Sequence, residues 1–332
     1  MKFTFEAKSI AKCSDFLELI YEGERYSLQA FSEKYKKSMF DLDRMLPSCS
    51  FVYRGKLISF EEYKNARLQL SEQLPFFRRY HEEIFPLEIG LAISSPAYYK
   101  ASKFLEKAEN CLQTARYYFL ESTNILEFDC RLNWKAGYAA IYDVRSMDFS
   151  TAIIWYNNCF DYIIQVAFLA FELYKGTKKY SETMLFEDIL KICSYNTLKM
   201  FHDNNPDNSG LNDLWNIIET CRIGRQKLND WANYSKHKGG LGFVGLKPEL
   251  PYAIFIRSPN GEIEPRTSEL DAVTIDLDES IEDVVKAHNA LINCMNSLID
   301  LIGFDKAIHT IDAEGRFVIP DKKDYCKVTL KT

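Results

Sequence analysis

Residues 152–174 read AIIWYNNCFDYIIQVAFLAFELY, an apolar and aromatic run that is long enough either to cross a membrane or to form a central helix. Five polar or charged side chains interrupt it: Asn157, Asn158, Asp161, Gln165 and Glu172. One Asp in the middle of a membrane helix costs roughly 2.5–3.5 kcal/mol on insertion scales, and the amides add to that cost. The run therefore predicts a buried helix of a soluble protein, covering about 150–174 and closed by Lys175-Gly176.

Helical periodicity continues on both sides of this run. From Tyr98 onward, apolar side chains recur at three- and four-residue steps, as a core-facing helix requires. Further helices are predicted over 181–202, over 211–237, and from the acidic cap Asp278-Glu279-Ser280 to about Ile302. The predicted fold class is mainly α: an antiparallel multi-helix bundle with a small β-hairpin insertion and an accessory N-terminal region.

Shorter elements are predicted around these helices. Ser59-Phe60-Glu61-Glu62 has the capping-box pattern and predicts a helix toward Gln73, preceded by a short hairpin over 52–58. Asn260-Gly261 between two β-type runs predicts a second hairpin, with a possible strand over 272–277 and a short hairpin over 314–319. The predicted divisions are an accessory region over 1–95, a helical bundle over 96–303 with its β insertion at about 250–277, and a C-terminal tail over 304–332.

The composition restricts the class of protein. A hydrophobic fraction of 47% with 14% aromatic residues supplies a sizeable core, and the net charge of -6 gives no global attraction for nucleic acid or anionic membranes. The nine cysteines are scattered without a CxxC pair, which predicts reduced thiols in a cytoplasmic protein and no metal site. No signal peptide is expected. The GxxxxGK[ST], GxSxG and HExxH motifs are absent, so we expect no cofactor.

Two of the predicted helices carry a polar face beside their apolar one. The face of the helix over 211–237 consists of Arg222, Gln226, Asn229, Asn233 and His237. The face of the helix over 150–174 consists of Asn158, Asp161, Gln165 and Glu172. In one interpretation, the face of the helix over 211–237 is a solvated surface and that of the helix over 150–174 is a structural hydrogen-bond network. In the other, the two faces are polar seams that meet across a cleft. The second interpretation places Asp161 or Asn158 beside His237, where it orients the imidazole ring.

The helix over 211–237 ends in Trp231-Ala232-Asn233-Tyr234-Ser235-Lys236-His237-Lys238-Gly239-Gly240. Asn233 and His237 are i, i+4 neighbours, so a regular helix projects both from one face of its last turn. The two lysines of this segment either contact a phosphate or compensate the helix dipole. The candidate catalytic residues are His237 and Asn233, and the candidate binding residues are Lys236, Lys238, Asn229, Asp161 and Asn158.

This layout of four or five antiparallel helices, with a late helix ending in Asn-x-x-x-His, resembles the HEPN superfamily. Its members are all-α domains, and many act as metal-independent endoribonucleases in toxin–antitoxin, abortive-infection and other defence systems. The family motif is an Arg, four to six residues and a His, frequently with Asn directly after the Arg. Active members form a dimer that brings two motifs together over RNA. The resemblance covers about 97–303 and implies RNA as the partner and a homodimer as the assembly.

The family motif is incomplete in this chain. His237 matches the motif His, whereas Ala232, Trp231 and Asp230 occupy the positions that the spacing gives to Arg. That Arg is the expected contact to the phosphate or the transition state. Arg225 lies 12 residues upstream of His237, about 18 Å along a helix, which is too far for one side chain. A second subunit, or an arginine of another element such as Arg131 or Arg145, would have to supply the charge.

Three functions are consistent with these patterns. The first is a HEPN-like protein, either a ribonuclease in which His237 is the acid/base and Asn233 and Lys236 hold the phosphate, or a non-catalytic relative. The second is a helical interaction or scaffold protein. The third is a small-ligand or nucleotide binder that uses the cleft between the helices over 150–174 and 211–237, with Trp231 or Tyr234 stacking on a base. No metal and no membrane is expected as a partner.

Overall fold

A computed structural model describes residues 17–26, 30–31, 34, 45–125, 138–239, 241–244, 254–257, 263–266 and 273–328 of the chain. These residues are mainly helical, as the sequence predicts. The α-helices, numbered in chain order, are α1 Phe60–Gln73, α2 Glu88–Ser94, α3 Pro96–Ser122, α4 Tyr138–Ala170, α5 Phe186–Ile192, α6 Tyr195–Asn204, α7 Ser209–Gly224, α8 Gln226–Tyr234, α9 Ile281–Ile302 and α10 Lys322–Tyr325. Two π-helical turns cover Tyr80–Ile84 and Ser235–Gly239, and 3-10 turns cover Leu46–Ser48, Phe85–Leu87, Leu173–Gly176 and Phe304–Ala307.

The strands are short and form separate small sheets. They are β1 Leu17–Tyr21, β2 Glu24–Tyr26, β3 Ser50–Tyr53, β4 Lys56–Ser59, β5 Gly242–Phe243, β6 Ile254–Arg257, β7 Ile263–Arg266, β8 Thr274–Ile275, β9 Thr310–Ile311 and β10 Phe317–Val318. The first four form an antiparallel sheet of order β2-β1-β3-β4, in which Leu19 lies opposite Tyr26 on one side and Phe51 on the other. The pairs β6–β7 and β9–β10 are antiparallel, and β5–β8 is parallel.

Local sequence signals fix several of these elements. Helix α1 begins at the predicted capping box, in which Glu62 N donates to Ser59 Oγ at 3.2 Å and Ser59 N donates to Glu62 Oε2 at 2.7 Å. The predicted hairpin before it is formed by β3 and β4, with Gly55 at φ 75 in its turn. Helix α9 ends before Gly303, whose φ of 64 stops the helix as predicted.

Helix α4 is longer at its start and shorter at its end than the sequence predicts. It begins at Tyr138 rather than near residue 150, and it ends at Ala170 rather than at Tyr174. The end is set by Glu172, which adopts a left-handed conformation with φ 51 and leads into a 3-10 turn. Its carboxylate binds Lys175 and Lys322, so Glu172 does not belong to a polar seam of α4.

The two predicted helices over 181–202 and 211–237 are each divided in the structure. The first becomes α5 and α6, because Ser194 caps α6 by accepting a hydrogen bond from Thr197 N at 3.2 Å. The second becomes α7 and α8, with a break at Arg225, and then the π-helical turn from Ser235. Gly224 precedes this break, and a Cβ placed there would lie 2.7 Å from Ala290 Cβ of α9. Close packing, rather than local helix propensity, therefore requires glycine here.

The β elements of the second half agree with the predicted insertion in part. Strands β6 and β7 form the predicted hairpin, whose Asn260-Gly261 turn lies outside the described residues. The strand expected over 272–277 is β8, and its parallel partner β5 was not predicted. Strands β9 and β10 form the tail hairpin, in which Gly315 has φ 77.

The chain divides into two units by its internal packing. Unit 1 comprises Met1–Gln73, Tyr118–Thr151 and Trp231–Ile281, and unit 2 comprises Leu74–Tyr117, Ala152–Asp230 and Glu282–Thr332. In unit 1, the Phe149 ring packs edge-on against Phe243 at a centroid distance of 6.1 Å and lies 5.9 Å from the ring of Trp231. In unit 2, the core includes fully buried side chains of α3, α4, α7 and α9: Leu105, Ile163, Leu214 and Leu291. Within the described residues, no helix is both long enough and apolar enough to span a bilayer.

The cysteines of the described residues are buried free thiols. They are Cys49, Cys111, Cys159, Cys193, Cys221, Cys294 and Cys326. Their burial fits the predicted use of cysteine as a small apolar residue on helix faces. Cys13 and Cys130 lie outside the described residues.

Candidate functional site

Unit 2 contains a cleft of about 400 Å³ between the middle of α4, the α5–α6 junction and the α7–α8 junction. The residues that line it are Phe160, Asp161, Ile164, Gln165, Cys193, Ser194, Tyr195, Arg222, Arg225, Gln226 and Asn229. The two helix breaks described above thus both open onto one cavity. Two residues of the polar face of α4, Asp161 and Gln165, share this cavity with three residues of the α7–α8 face: Arg222, Gln226 and Asn229.

Arg225 forms the buried wall of the cleft. Its side chain lies at the break between α7 and α8 with a relative exposure of 5%, and its guanidinium carbon is 3.7 Å from the centroid of the Phe160 ring. Nη1 donates to Asn157 Oδ1 at 3.1 Å. Nε is buried and has no acceptor among the described residues, and Arg225 forms no ion pair with them. Burial lowers the pKa of Arg225, and the carboxylate of Asp161 acts in the opposite direction.

This environment is unfavourable for an isolated guanidinium. A buried donor without a partner costs about 1–3 kcal/mol, and charged groups cost more. The face of an aromatic ring recovers part of that energy through the cation–π interaction. A buried charge in a protein is normally paired with an opposite charge. Arg225 is therefore a cation whose anionic partner is missing from the described part of the chain.

Gln165 is the second unsatisfied group of the cleft. Its Oε1 atom is buried and has no hydrogen-bond donor among the described residues. Gln165 lies four residues after Asp161 on α4, so the amide and the carboxylate project from the same face of the helix. The cleft thus contains an unused donor on one wall and an unused acceptor on another.

The second arginine of the cleft, Arg222, differs from Arg225 because its charge is neutralised. Both its Nε and its Nη2 donate to the carboxylate of Glu219 at 2.7 Å, and its Nη1 donates to Gln226 Oε1 at 2.9 Å. Hydrogen bonding from Arg222 lowers the pKa of Glu219, which also accepts a bond from Tyr195 OH at 2.6 Å. Arg222 and Glu219 therefore form a bidentate ion pair with no net charge at the edge of the cleft.

An aromatic stack supports Tyr195 from behind. Its ring centroid lies 5.3 Å from that of Trp215, which stacks on His202 at 4.9 Å with an interplanar angle of 18°. Arg222 lies over the outer side of Tyr195 at 5.3 Å. The tyrosine is thus held by neighbours on both sides, and this wall of the cleft is preorganised.

The thiol of Cys193 does not provide a nucleophile at this site. Burial raises the pKa of Cys193 to about 12, and its Sγ donates to Ile189 O at 3.3 Å. A protonated thiol is a poor nucleophile at neutral pH. Among the described residues, no group of three or more His, Cys, Asp or Glu side chains is arranged to hold a metal ion. The charged and amide side chains that line the cleft can recognise a ligand by charge and hydrogen bonding.

The residues predicted from the sequence lie in two places. Asp161 and Asn229 line the cleft of unit 2, while Asn158 is half-buried on α4 and is not part of that lining. The other candidates lie in unit 1: Asn233 on α8 and Lys236 and His237 on the π-helical turn, and all three side chains are exposed. The Lys238 side chain lies outside the described part. The regular α-helical turn predicted through His237 is wrong, since α8 ends at Tyr234.

The positions that the HEPN spacing gives to Arg have different environments here. Ala232 is fully buried and Trp231 is nearly so, whereas Asp230 is exposed. Arg145, a possible substitute, is 1% exposed and fully engaged within unit 1. Its Nε donates to Ser122 O at 2.7 Å, its Nη1 to Tyr53 OH at 3.1 Å and its Nη2 to Asp278 Oδ1 at 3.2 Å. Arg145 is therefore a structural cation, and Arg131 lies outside the described residues.

In the sequence, Arg225 is a candidate only as a replacement for the motif arginine. The glycine before it, Gly224, lowers the helix propensity of this amphipathic run but does not indicate that the Arg225 side chain is buried. Comparison of the chain with protein-family models, with curated proteins and with solved structures finds no match in any of the three.

Proposed function

We propose that this protein binds a small anionic molecule in the cleft of unit 2 and that Arg225 is the anchor for its negative charge. The observation that carries the proposal is the buried guanidinium of Arg225, which has no ion-pair partner and an unused Nε donor within the described residues. This is the small-ligand function that the sequence suggested for the two polar faces. The cleft that would bind the ligand lies within unit 2.

A carboxylate or phosphate group would resolve the unfavourable environment of Arg225. Charge-assisted hydrogen bonds from arginine to such groups are about twice as strong as neutral ones. They gain further strength in a site from which most water is excluded. The ligand would take the place of the missing counter-ion, so binding energy would be greatest at Arg225, which forms no ion pair with the described residues.

The dimensions and composition of the cleft fit a small molecule. Its volume of about 400 Å³ lies in the range of roughly 300–1,000 Å³ that is typical of ligand sites. Apolar surface from Phe160 and Ile164 accompanies a few polar groups, which is the usual composition of such sites. The fixed Arg222–Glu219 pair and the stacked Tyr195 keep the walls in place, so little energy is lost in ordering them.

Thermal unfolding in the presence of benzoate, succinate and inorganic phosphate tests the proposal. A ligand at 100 times its Kd stabilises the folded protein by about 2.7 kcal/mol, which gives a measurable rise in Tm. The Arg225→Met variant keeps much of the side-chain volume and removes the charge, so we expect it to fold and to lose the shift. Arg78→Met is the matched control, because it removes an exposed arginine that does not line the cleft, and the shift should remain.

Two results would contradict the proposal. One is an equal rise in Tm for wild type and for Arg225→Met, since the anion would then bind elsewhere. The other is the absence of a shift for the wild-type protein with all three anions. Isothermal titration calorimetry with the strongest of them then gives the stoichiometry, for which we expect one ligand per chain.

A second candidate function is contact with RNA at the turn that follows α8. It is favoured by the exposure of Asn233, Lys236 and His237, which leaves all three side chains accessible to a polymer. The HEPN resemblance also implies an antiparallel helical bundle, a homodimer and a role in defence, and these belong to this second candidate. In it, His237 is the acid/base of metal-independent RNA cleavage, or the chain is a non-catalytic relative that only binds RNA.

Expression in a bacterial host, followed by incubation of the purified protein with RNA and EDTA, tests this candidate. Cleavage that disappears in His237→Ala and persists in the control Lys306→Ala would support it. Binding of RNA without cleavage would indicate the non-catalytic relative. If RNA is neither bound nor cleaved and the anions cause no shift, the interaction or scaffold function is the one that remains.

A further inference from the structure

We infer that the ligand of the unit 2 cleft is a small hydroxycarboxylic acid, with its carboxylate on the guanidinium group of Arg225 and its hydroxyl group on the side-chain amide of Gln165. The inference rests on the proposed anion-binding function and narrows its ligand. It is carried by two side chains that line the same cleft and leave hydrogen-bonding groups unused among the described residues.

The guanidinium group of Arg225 has one edge without partners. Nη1 donates to Asn157 Oδ1, whereas Nε and Nη2 have no acceptor among the described residues. Nε and Nη2 lie side by side, so together they match the two oxygens of one carboxylate. Arg222 uses the same edge in this way, since its Nε and Nη2 both donate to the carboxylate of Glu219 at 2.7 Å. A carboxylate is therefore the group that fits the unused edge of Arg225.

One negative charge is sufficient at this position. Glu219 neutralises Arg222, so Arg225 is the cation of the lining that has no ion pair within the described residues. A carboxylate supplies one charge, whereas a phosphate monoester carries about -1.5 to -2 at pH 7 and would leave part of its charge uncompensated. Asp161 also lines the cleft, but it has interactions of its own within the chain, so we assign it no contact with the ligand.

The side-chain amide of Gln165 is the second group without a partner. Its Oε1 is buried, and neither Oε1 nor Nε2 forms a hydrogen bond with the described residues. The two amide atoms exchange places when the group turns by half a rotation, so the buried position offers an acceptor in one orientation and a donor in the other. A hydroxyl group both donates and accepts, so it satisfies either orientation. It is also neutral and needs no opposite charge on α4.

The two groups meet α4 within about one and a half turns of each other. The guanidinium group of Arg225 lies over the Phe160 ring, and Gln165 follows Phe160 by five residues, a rise of about 7.5 Å. Helical side chains point back toward the N-terminus of their helix, which shortens this axial separation. Ile164 offers apolar surface to the carbon skeleton. A molecule with a hydroxyl group a few bonds from its carboxylate therefore serves both groups at once.

Calorimetric titration with matched pairs of acids tests the inference. Within each pair the acids differ by one hydroxyl group: lactate with propionate, 3-hydroxybutyrate and 4-hydroxybutyrate with butyrate, and the monohydroxybenzoates with benzoate. The distance from carboxylate to hydroxyl varies across this series, so it samples the separation of the two protein groups. We expect the best-matched hydroxy acid to bind about 3- to 10-fold more tightly than its parent, which is the contribution of about one neutral hydrogen bond.

The Gln165→Met variant isolates the contact with the hydroxyl group. Methionine is unbranched and of similar length, and its thioether is only a weak acceptor, so the ratio of the affinities for the hydroxy acid and its parent should fall to about one. The affinity for the parent acid should stay close to that of the wild type, because the parent has no group that binds the amide. Gln69→Met on α1, an exposed glutamine outside the cleft, is the matched control and should keep the wild-type ratio.

The outcomes distinguish this inference from the proposed function. If anions bind through Arg225 but no hydroxy acid binds more tightly than its parent, the hydroxyl contact is excluded and the anion site stands. The same holds if phosphate binds and no carboxylate does, or if the preference for the hydroxy acid persists in Gln165→Met. If no anion binds, the proposed function and the inference fail together. A preference that disappears in Gln165→Met and remains in Gln69→Met supports the inference.

Discussion

His288 Nε2 donates a hydrogen bond to the carbonyl oxygen of Pro75 at 2.9 Å. A carbonyl can only accept, so the proton is on Nε2, and Nδ1 accepts from Tyr156 OH at 3.1 Å. The ring is fully buried, and burial lowers its pKa to about 4. A neutral imidazole in unit 2 therefore joins α9 and α4 to the segment that leads from Leu74 toward the π-helical turn at Tyr80.

This arrangement predicts a loss of stability in mild acid. The pKa of His288 is about 4 in the folded state and about 6.5 when unfolded, so the unfolded chain binds more protons between these pH values. The contribution of His288 is complete above pH 6.5 and is lost as the pH falls toward 4, by up to about 3 kcal/mol. Urea unfolding at pH 7.5, 6 and 5 measures the free energy of unfolding directly.

Two variants assign this pH dependence to His288. His288→Gln keeps an N–H donor for Pro75 O but does not titrate, so the difference in stability between pH 7.5 and pH 5 should shrink. Tyr156→Phe removes only the bond to Nδ1, so it should lower stability while keeping the wild-type pH dependence. An unchanged profile in His288→Gln would show that other groups cause the acid sensitivity.

Arg145 is predicted to be a major source of stability in unit 1. Its guanidinium donates to Ser122 O, Tyr53 OH and Asp278 Oδ1, and the side chain is 1% exposed. Arg145→Met removes these three bonds, while Asp278 keeps its bond from Tyr53 OH and its ion pair with Arg54. Hydrogen bonds to charged groups contribute about 1.5–3 kcal/mol each, so we expect a loss of more than about 2 kcal/mol. Lys227→Met, which breaks the exposed ion pair with Asp283, should cost less than about 1 kcal/mol. Similar losses in the two variants, measured by urea unfolding, would argue against the structural role of Arg145.

Gly210 is predicted to control the attachment of the segment around Lys327. A Cβ at residue 210 would lie 2.1 Å from the carbonyl oxygen of Lys327, so Gly210→Ala forces this segment away. Overpacking of this kind costs about 1–3 kcal/mol. The nearby Cys326 is buried, and its rate of alkylation by iodoacetamide, located by mass spectrometry, should rise. The exposed neighbour provides the control, because Ser209→Ala should leave the rate unchanged.

Of two positions that the HEPN spacing gives to Arg, we expect the fold to tolerate an arginine at Asp230 but not at Ala232. Ala232 is fully buried, so Ala232→Arg places a charge in the core of unit 1 and should lower the Tm strongly. Asp230 is exposed and accepts one hydrogen bond from Gln226, so Asp230→Arg should change stability by about 1 kcal/mol or less. A stable, folded Ala232→Arg protein would contradict the packing described for α8.

Short sequence motifs predicted the helix ends that depend on residues a few positions apart. The capping box at Ser59 and Glu62 fixes the start of α1, and Gly303 fixes the end of α9, because the atoms responsible are a few residues apart. The polar positions of α4 and of α7–α8 were also visible, since helical spacing alone groups Asp161 with Gln165 and Arg222 with Gln226.

The break at Arg225 could not be predicted in the same way. The apolar positions Cys221, Leu228 and Trp231 keep a helical phase across it, so the periodicity indicates one continuous helix. The cause is the close approach of Gly224 to Ala290, and the burial of Arg225 depends on Phe160. These partners lie about 65 residues away or more along the chain, so only the tertiary structure reveals them.

The packing of Tyr325 against Tyr98, at a ring centroid distance of 5.1 Å, has a consequence for synthesis in the cell. Tyr325 also donates to Ser95 Oγ, across 230 residues of chain. At a translation rate of about 5–20 residues per second, the ribosome needs roughly 10–45 s to reach Tyr325 after Ser95. During that time the apolar surface around Tyr98 lacks Tyr325 as its cover, so unit 2 completes its packing only after the chain has been synthesised through Tyr325.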